Sequence, residues 1–134
     1  MSNRSQLASW QALQNSAAQM KQTHLKTLFA QDDTRFDAFS TQIPGVLFDY
    51  SKQRIDKTIF AQLIELAKEC DIASWRDKMF SGEKINITEE RAVLHTALRN
   101  RAHTPLVVDG EDVTQAVDNE LAKIKTFVEK VRSG

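Results

Sequence analysis

Apolar residues recur at steps of three and four along several stretches of this chain, and that period commits it to amphipathic helices that bury one face. Leu7, Trp10, Leu13, Ala17 and Met20 form one such stripe, and Ile59, Phe60, Leu63, Leu66, Ala67 and Cys70 form a second. Val117, Leu121, Ile124, Phe127, Val128 and Val131 mark a long third, with Lys125, Lys130 and Arg132 towards the carboxyl end where they favour the helix dipole. Asp56, Asp71 and Thr88 are read as amino-terminal caps, because each can accept from the free amides of a following helix. Trp75, Met79 and Phe80 suit a short helix after Asp71, ending near Gly82 in the left-handed position. Thr88, with Glu89 and Glu90 behind it, predicts a helix to about Asn100 that carries Val93, Leu94, Ala97 and Leu98. Residues 25–39 suit a helical turn, a break around Asp32-Asp33, and another turn.

Two segments depart from that period. Pro44-Gly45 precedes Val46-Leu47-Phe48-Asp49-Tyr50, a short β-prone run read as a strand. Leu106-Val107-Val108 followed by Asp109-Gly110 predicts a hairpin, since Asp-Gly supplies the positive φ angles of a tight turn. The expected fold class is therefore mainly α: about six helices with one short strand and one β-hairpin. The β pieces are too few to form a sheet alone, so partners from elsewhere are expected for them. A chain of 134 residues falls within the size of one domain, and no repeat or linker marks a second.

Composition narrows the function classes. Eighteen Lys and Arg balance eighteen Asp and Glu. No global field draws the chain to a polyanion or an anionic membrane, and neither nucleic acid nor membrane is expected as a partner. One cysteine, Cys70, excludes an intramolecular disulfide and fits a reducing compartment. The amino-terminal residues lack the apolar stretch of a signal peptide, so a cytoplasmic location is expected, and Asn86-Ile87-Thr88 is read as a chance glycosylation match.

Candidate chemistry centres on Arg91, His95 and Arg99, spaced by four, which a helix over 88–100 would place on one face with Arg101 and His103 just beyond. Such a face suits an anionic partner, and pairing with carboxylates such as Glu89 and Glu90 competes with that use. His24, His95 and His103 lack the spacing of a zinc site, so no metal is expected. Ser81-Gly82-Glu83-Lys84 lacks the length and the Lys-Ser/Thr ending of a phosphate loop. Cys70, Trp10 and Trp75 lie on apolar stripes and are expected to pack rather than react or bind.

Residues 81–101, SGEKINITEERAVLHTALRNR, resemble a signature of the glucose-6-phosphate isomerase family. The resemblance extends to VLFDYSKQRI at 46–55, LAKECDI at 66–72 and TPLVVDGEDV at 104–113, and is weakest before Phe39. It implies the amino-terminal segment of a larger α/β sugar-isomerase architecture. The implied activity is that of a cytosolic, homodimeric enzyme of glycolysis and gluconeogenesis, which interconverts glucose 6-phosphate and fructose 6-phosphate without metal or organic cofactor. In that family a carboxylate base moves a proton between adjacent carbons through an enediol. The resemblance further implies that the catalytic and phosphate-binding residues lie in two sugar-isomerase domains beyond this segment. No catalytic, substrate-binding, cofactor-binding or metal residue is accordingly expected among the 134, and the chain alone is expected to be inactive. The alternative is a free-standing, non-catalytic helical module that binds an anionic partner through Arg91, His95, Arg99 and Arg101. A segment of this kind also exposes apolar faces, so it is expected either to self-associate or to repack its helices.

Overall fold

A computed structural model describes residues 4–134. The chain forms two compact units, one ending at Asp71 and one running from Ile72 to Gly134. Among the described residues there are six α-helices, two 3-10 turns and two short antiparallel ribbons, so the fold is mainly α as expected.

The first unit holds α1 (Ala8–Met20), α2 (Leu25–Gln31), α3 (Arg35–Ala38), β1 (Ser40–Ile43), β2 (Val46–Asp49) and α4 (Lys57–Glu69). The expected break within 25–39 falls between α2 and α3, where Asp32 Oδ1 accepts from the amide and hydroxyl of Thr34 at 3.0 and 2.7 Å. Asp56 caps α4 as anticipated, accepting from the Ile59 amide at 2.7 Å. α1 lies against α4, and Ser9 near the start of one helix donates through its hydroxyl to Glu69 Oε2 at 2.5 Å near the end of the other. The strand at 46–49 does not wait for a partner from elsewhere. It folds back on β1 across Pro44-Gly45, with Ser40 opposite Asp49 and Ile43 opposite Val46. Gly45 takes φ +80°, and the polar run Ser40-Thr41-Gln42 gave no period-two signal that would have marked it as the missing strand.

The core of this unit is aromatic. Phe39, 2% exposed, meets Tyr50 and Phe60 edge-on at 6.0 and 6.2 Å, and Tyr50 stacks on Phe60 at 5.8 Å. Leu28 and Ile59 complete the buried apolar set. Trp10 and Trp75, expected to pack, are 39% and 37% exposed, and Cys70 sits half-buried at the end of α4. Asp71 does not cap the next helix. Its φ of 55° places it in the left-handed turn that ends α4, its amide donating to Lys68 O at 2.9 Å.

The second unit holds α5 (Ile72–Ser81), a 3-10 turn at Ala97–Arg99, β3 (Val107–Val108), β4 (Glu111–Asp112) and α6 (Val113–Ser133). Gly82 ends α5 with φ +80°, and a Cβ there would lie 2.8 Å from Val108 Cγ2, so β3 packs directly on that backbone. The Asp109-Gly110 turn has φ 53° and 87°, as the sequence predicts, and pairs Val107 with Asp112 and Val108 with Glu111. Asp112 is also the cap of α6, accepting from the amides of Thr114 and Gln115 at 2.9 and 3.4 Å. Thr114, 5% exposed, closes the junction: its hydroxyl donates to Thr104 O at 3.1 Å and accepts from the Leu106 amide at 3.2 Å.

The helix expected over 88–100 does not form. Asn86 and Arg91 exchange backbone hydrogen bonds at 3.1 and 3.2 Å as an isolated bridge, and Glu90 sits at φ 52°, outside helical space. The Asn86 side chain accepts from the Thr88 hydroxyl at 2.8 Å and the Glu89 amide at 3.3 Å. Thr88 is thus engaged in a local turn and cannot cap, an instance of a short polar side chain outcompeting the helix.

Candidate functional site

The loss of that helix scatters the basic cluster. Arg91 stands at the bridge, 3.4 Å from Glu89 Oε2 and largely exposed. Arg99 lies in the 3-10 turn and turns its Nη1 back onto the His95 carbonyl at 2.8 Å. Arg101 follows in an exposed turn, and His103 Nδ1 meets Asp118 Oδ2 at 3.0 Å. The four-residue spacing of Arg91, His95 and Arg99 therefore produces no shared helical face; Arg91 and His95 line one depression with Glu90 and Asp109, and both arginines already face a carboxylate or carbonyl. His95, Thr96, Arg99 and Asn100 line a second depression, of about 450 Å³, with Phe80, Thr104 and Leu106. It holds no carboxylate, and His95 is the one side chain in its lining suited to proton transfer near neutral pH. Among the described residues no group of three or more His, Cys, Asp or Glu is placed to hold a metal.

The polar groups that are organised sit elsewhere, around the connection from β2 to α4. Arg35, 2% exposed, donates from Nε to Ser51 O at 2.8 Å and from Nη2 to Gln53 O at 2.7 Å, with its guanidinium 4.8 Å from the Phe39 ring centroid and 5.5 Å from that of Phe29. Arg54 reaches the carboxyl end of α1, its Nη2 lying 2.8, 2.7 and 2.9 Å from the carbonyls of Met20, Lys21 and Thr23. The Met20 carbonyl also accepts from the Thr23 amide at 3.0 Å, and a cation at this carboxyl end complements the helix dipole. Asp49 accepts from the amide and hydroxyl of Ser51 at 2.9 and 2.6 Å and from Lys52 Nζ at 2.6 Å. The Lys52 ammonium, with Ser51, holds the Asp49 carboxyl down to about 2. The Thr34 hydroxyl similarly lowers Asp32. A carboxylate stabilised as an anion is a poor proton acceptor near neutral pH, so both serve the fold.

Residues 49–53 are thus a brace: one tight turn whose carbonyls grip Arg35, followed by Arg54, which grips α1. Sequence reading missed both arginines. Arg54 stands inside a stretch that drew notice only by resemblance, and Arg35 stands among polar residues with no period to mark it as buried.

A sequence model described as phosphoglucose isomerase matches residues 49–134 of the chain. The chain belongs to the phosphoglucose isomerase family. The glucose-6-phosphate isomerase of Pseudoalteromonas translucida (strain TAC 125) is 80% identical over all 134 residues, which make up 24% of that protein. Glucose-6-phosphate isomerase 1 of Colwellia psychrerythraea (strain 34H / ATCC BAA-681) is 52% identical over the same span, again 24% of its length. The chain therefore spans about a quarter of the relatives it matches. The phosphoglucose isomerase match takes in the 49–54 brace, the Asn86–Arg91 bridge and the ribbon-capped α6. No helix among the described residues is long and apolar enough to cross a membrane.

Proposed function

We propose that this chain is the amino-terminal helical scaffold of a glucose-6-phosphate isomerase, a cytoplasmic, homodimeric enzyme of glycolysis and gluconeogenesis that interconverts glucose 6-phosphate and fructose 6-phosphate. On this reading its 134 residues form one segment of that enzyme and carry no catalytic, substrate-binding, cofactor or metal residue of their own. The sugar-isomerase domains supply the base and the phosphate cradle. What carries the reading is the 80% identity across the whole chain to a glucose-6-phosphate isomerase of which it covers 24%. The side-chain chemistry supports it, because the organised polar groups are braces and caps.

The test is a coupled assay for fructose 6-phosphate conversion, run on the 134-residue chain and on a chimera in which these residues replace their counterpart in the Pseudoalteromonas relative. The chain alone is expected to show no turnover, and the chimera to be active. Robust turnover by the verified 134-residue chain would overturn the claim that it lacks the catalytic groups.

A further inference from the structure

We infer that the apolar stripe of α6 is an interface that docks onto the rest of a glucose-6-phosphate isomerase polypeptide; this rests on the isomerase reading above. α6 (Val113–Ser133) is anchored at its first turns, where Thr114 is buried and Val113, Val117 and Asp118 are partly covered. Every residue over 119–134 is exposed. Within that span Leu121, Ile124, Phe127, Val128 and Val131 are 50, 57, 68, 42 and 65% exposed. At 100° per residue, Val117, Leu121, Ile124, Val128 and Val131 fall within an arc of about 80°, and Phe127 widens it to about 120°. Thr126, Glu129 and Lys130 occupy the opposite side, Lys123 borders the Phe127 edge, and Glu120 lies within the wider arc, paired with Lys123 at 2.5 Å. A helix that needed no partner would be polar all round, and this one carries a broad apolar face that Glu120 alone interrupts.

Three observations choose the occupant. A face this broad is the kind that covers a globular core, wider than the two-in-seven seam of a helix pair. From Val117 to Val131 the stripe spans about two heptads, short of the three or four that sustain a coiled coil with a second copy. The relatives also extend over roughly four times the length matched here, which provides surface to meet it. The exposed area agrees: two separate globules of these sizes would expose roughly 8,500 Å², whereas the chain exposes 10611 Å². The chemistry expected of the partner face is apolar, with an acidic group positioned for Arg132, which flanks one side of the stripe beside Lys125, itself 3.9 Å from Glu129.

Thiol labelling tests this. With Cys70→Ser as background, Leu121→Cys and Val131→Cys report on the stripe, and Thr126→Cys and Lys130→Cys on the opposite side. In the 134-residue chain all four are expected to label rapidly. In the chimera the two stripe positions are expected to slow on the order of tenfold or more, the other two remaining fast. As a second measure, Leu121→Glu should lower the chimera's melting temperature while Thr126→Glu, on the opposite side, leaves it unchanged. Fast labelling of the stripe in an active chimera would overturn the interface and leave the isomerase reading intact. An inactive chimera would count against that reading, while its labelling pattern still decides the interface. Protection that appears in the 134-residue chain as its concentration rises would make a second copy the occupant and overturn the inference.

Discussion

Replacing Arg35 by methionine isolates what the buried guanidinium contributes, because methionine keeps much of the apolar stem and removes both donors. Hydrogen bonds from a charged donor contribute about 1.5–3 kcal/mol each, and Arg35 makes two, to Ser51 O and Gln53 O. Cation–π contact with Phe39 and Phe29 adds about 0.5–1 kcal/mol apiece. Against this, the desolvation cost of a buried cation disappears with it. The balance predicts a loss of about 3 kcal/mol, since the two carbonyls lose their partner. For a unit of this size, total stability is roughly 4–10 kcal/mol, so the effect is a large share. Trp10 lies in the first unit and Trp75 in the second, so a Trp75→Phe background lets Trp10 fluorescence report the first unit during urea unfolding. With a slope of about 1–1.5 kcal/mol per molar, the midpoint should fall by about 2 M. Arg35→Lys, which keeps the charge but loses the planar fork, should fall between. A midpoint for Arg35→Met within about 0.4 M of the parent would refute the reasoning and show that the carbonyls find other partners.

Gly82→Ala meets both a left-handed φ and Val108 Cγ2 at 2.8 Å, and should cost about 2–3 kcal/mol; combining it with Val108→Ala should cost less than the sum, read by Trp75 fluorescence. Asp112→Ala removes the α6 cap and should cost about 1 kcal/mol, seen as reduced helical circular dichroism and an earlier thermal transition. Asp49 has its carboxyl lowered to about 2 in the fold by Lys52 and Ser51, against roughly 3.9 when unfolded. Its stabilising contribution is therefore complete above pH ~4 and lost as pH falls through ~2. Asp49→Asn should accordingly flatten the acid side of the urea midpoint against pH; an unchanged profile would remove Asp49 from that role.

The helices with continuous stripes, α1, α4 and α6, and the Asp-Gly ribbon were legible because periodicity and turn chemistry are local properties. Asp56 was legible as a cap for the same reason. What escaped was decided by competition or by tertiary partners. Thr88 reads as a cap in any local pattern, but Asn86 two residues earlier takes its hydroxyl. Ser40-Thr41-Gln42 is a strand only because β2 folds against it. Arg35 is buried by the nearby rings of Phe29 and Phe39 and by the carbonyls of Ser51 and Gln53 farther along the chain, and no spacing rule marks such a position. The basic cluster failed with its helix, since the four-residue step has meaning only on a helix.

The junction of the β3–β4 ribbon with α6 has a kinetic consequence. Starting a helix is the costly step, because several residues are fixed for the first hydrogen bond. Here Asp112 ends the ribbon and captures the first amides of α6, while Thr114 ties the incoming segment at Thr104 and Leu106. Closing one tight turn therefore sets the start point of a helix whose residues from 119 onward are all exposed. A slip of one residue in that ribbon would move Asp112 off the helix start, so errors in strand pairing should register as late or missing helix. The ribbon acts as a primer for α6, and its turn sequence governs when the outward-facing stripe first becomes available to a partner.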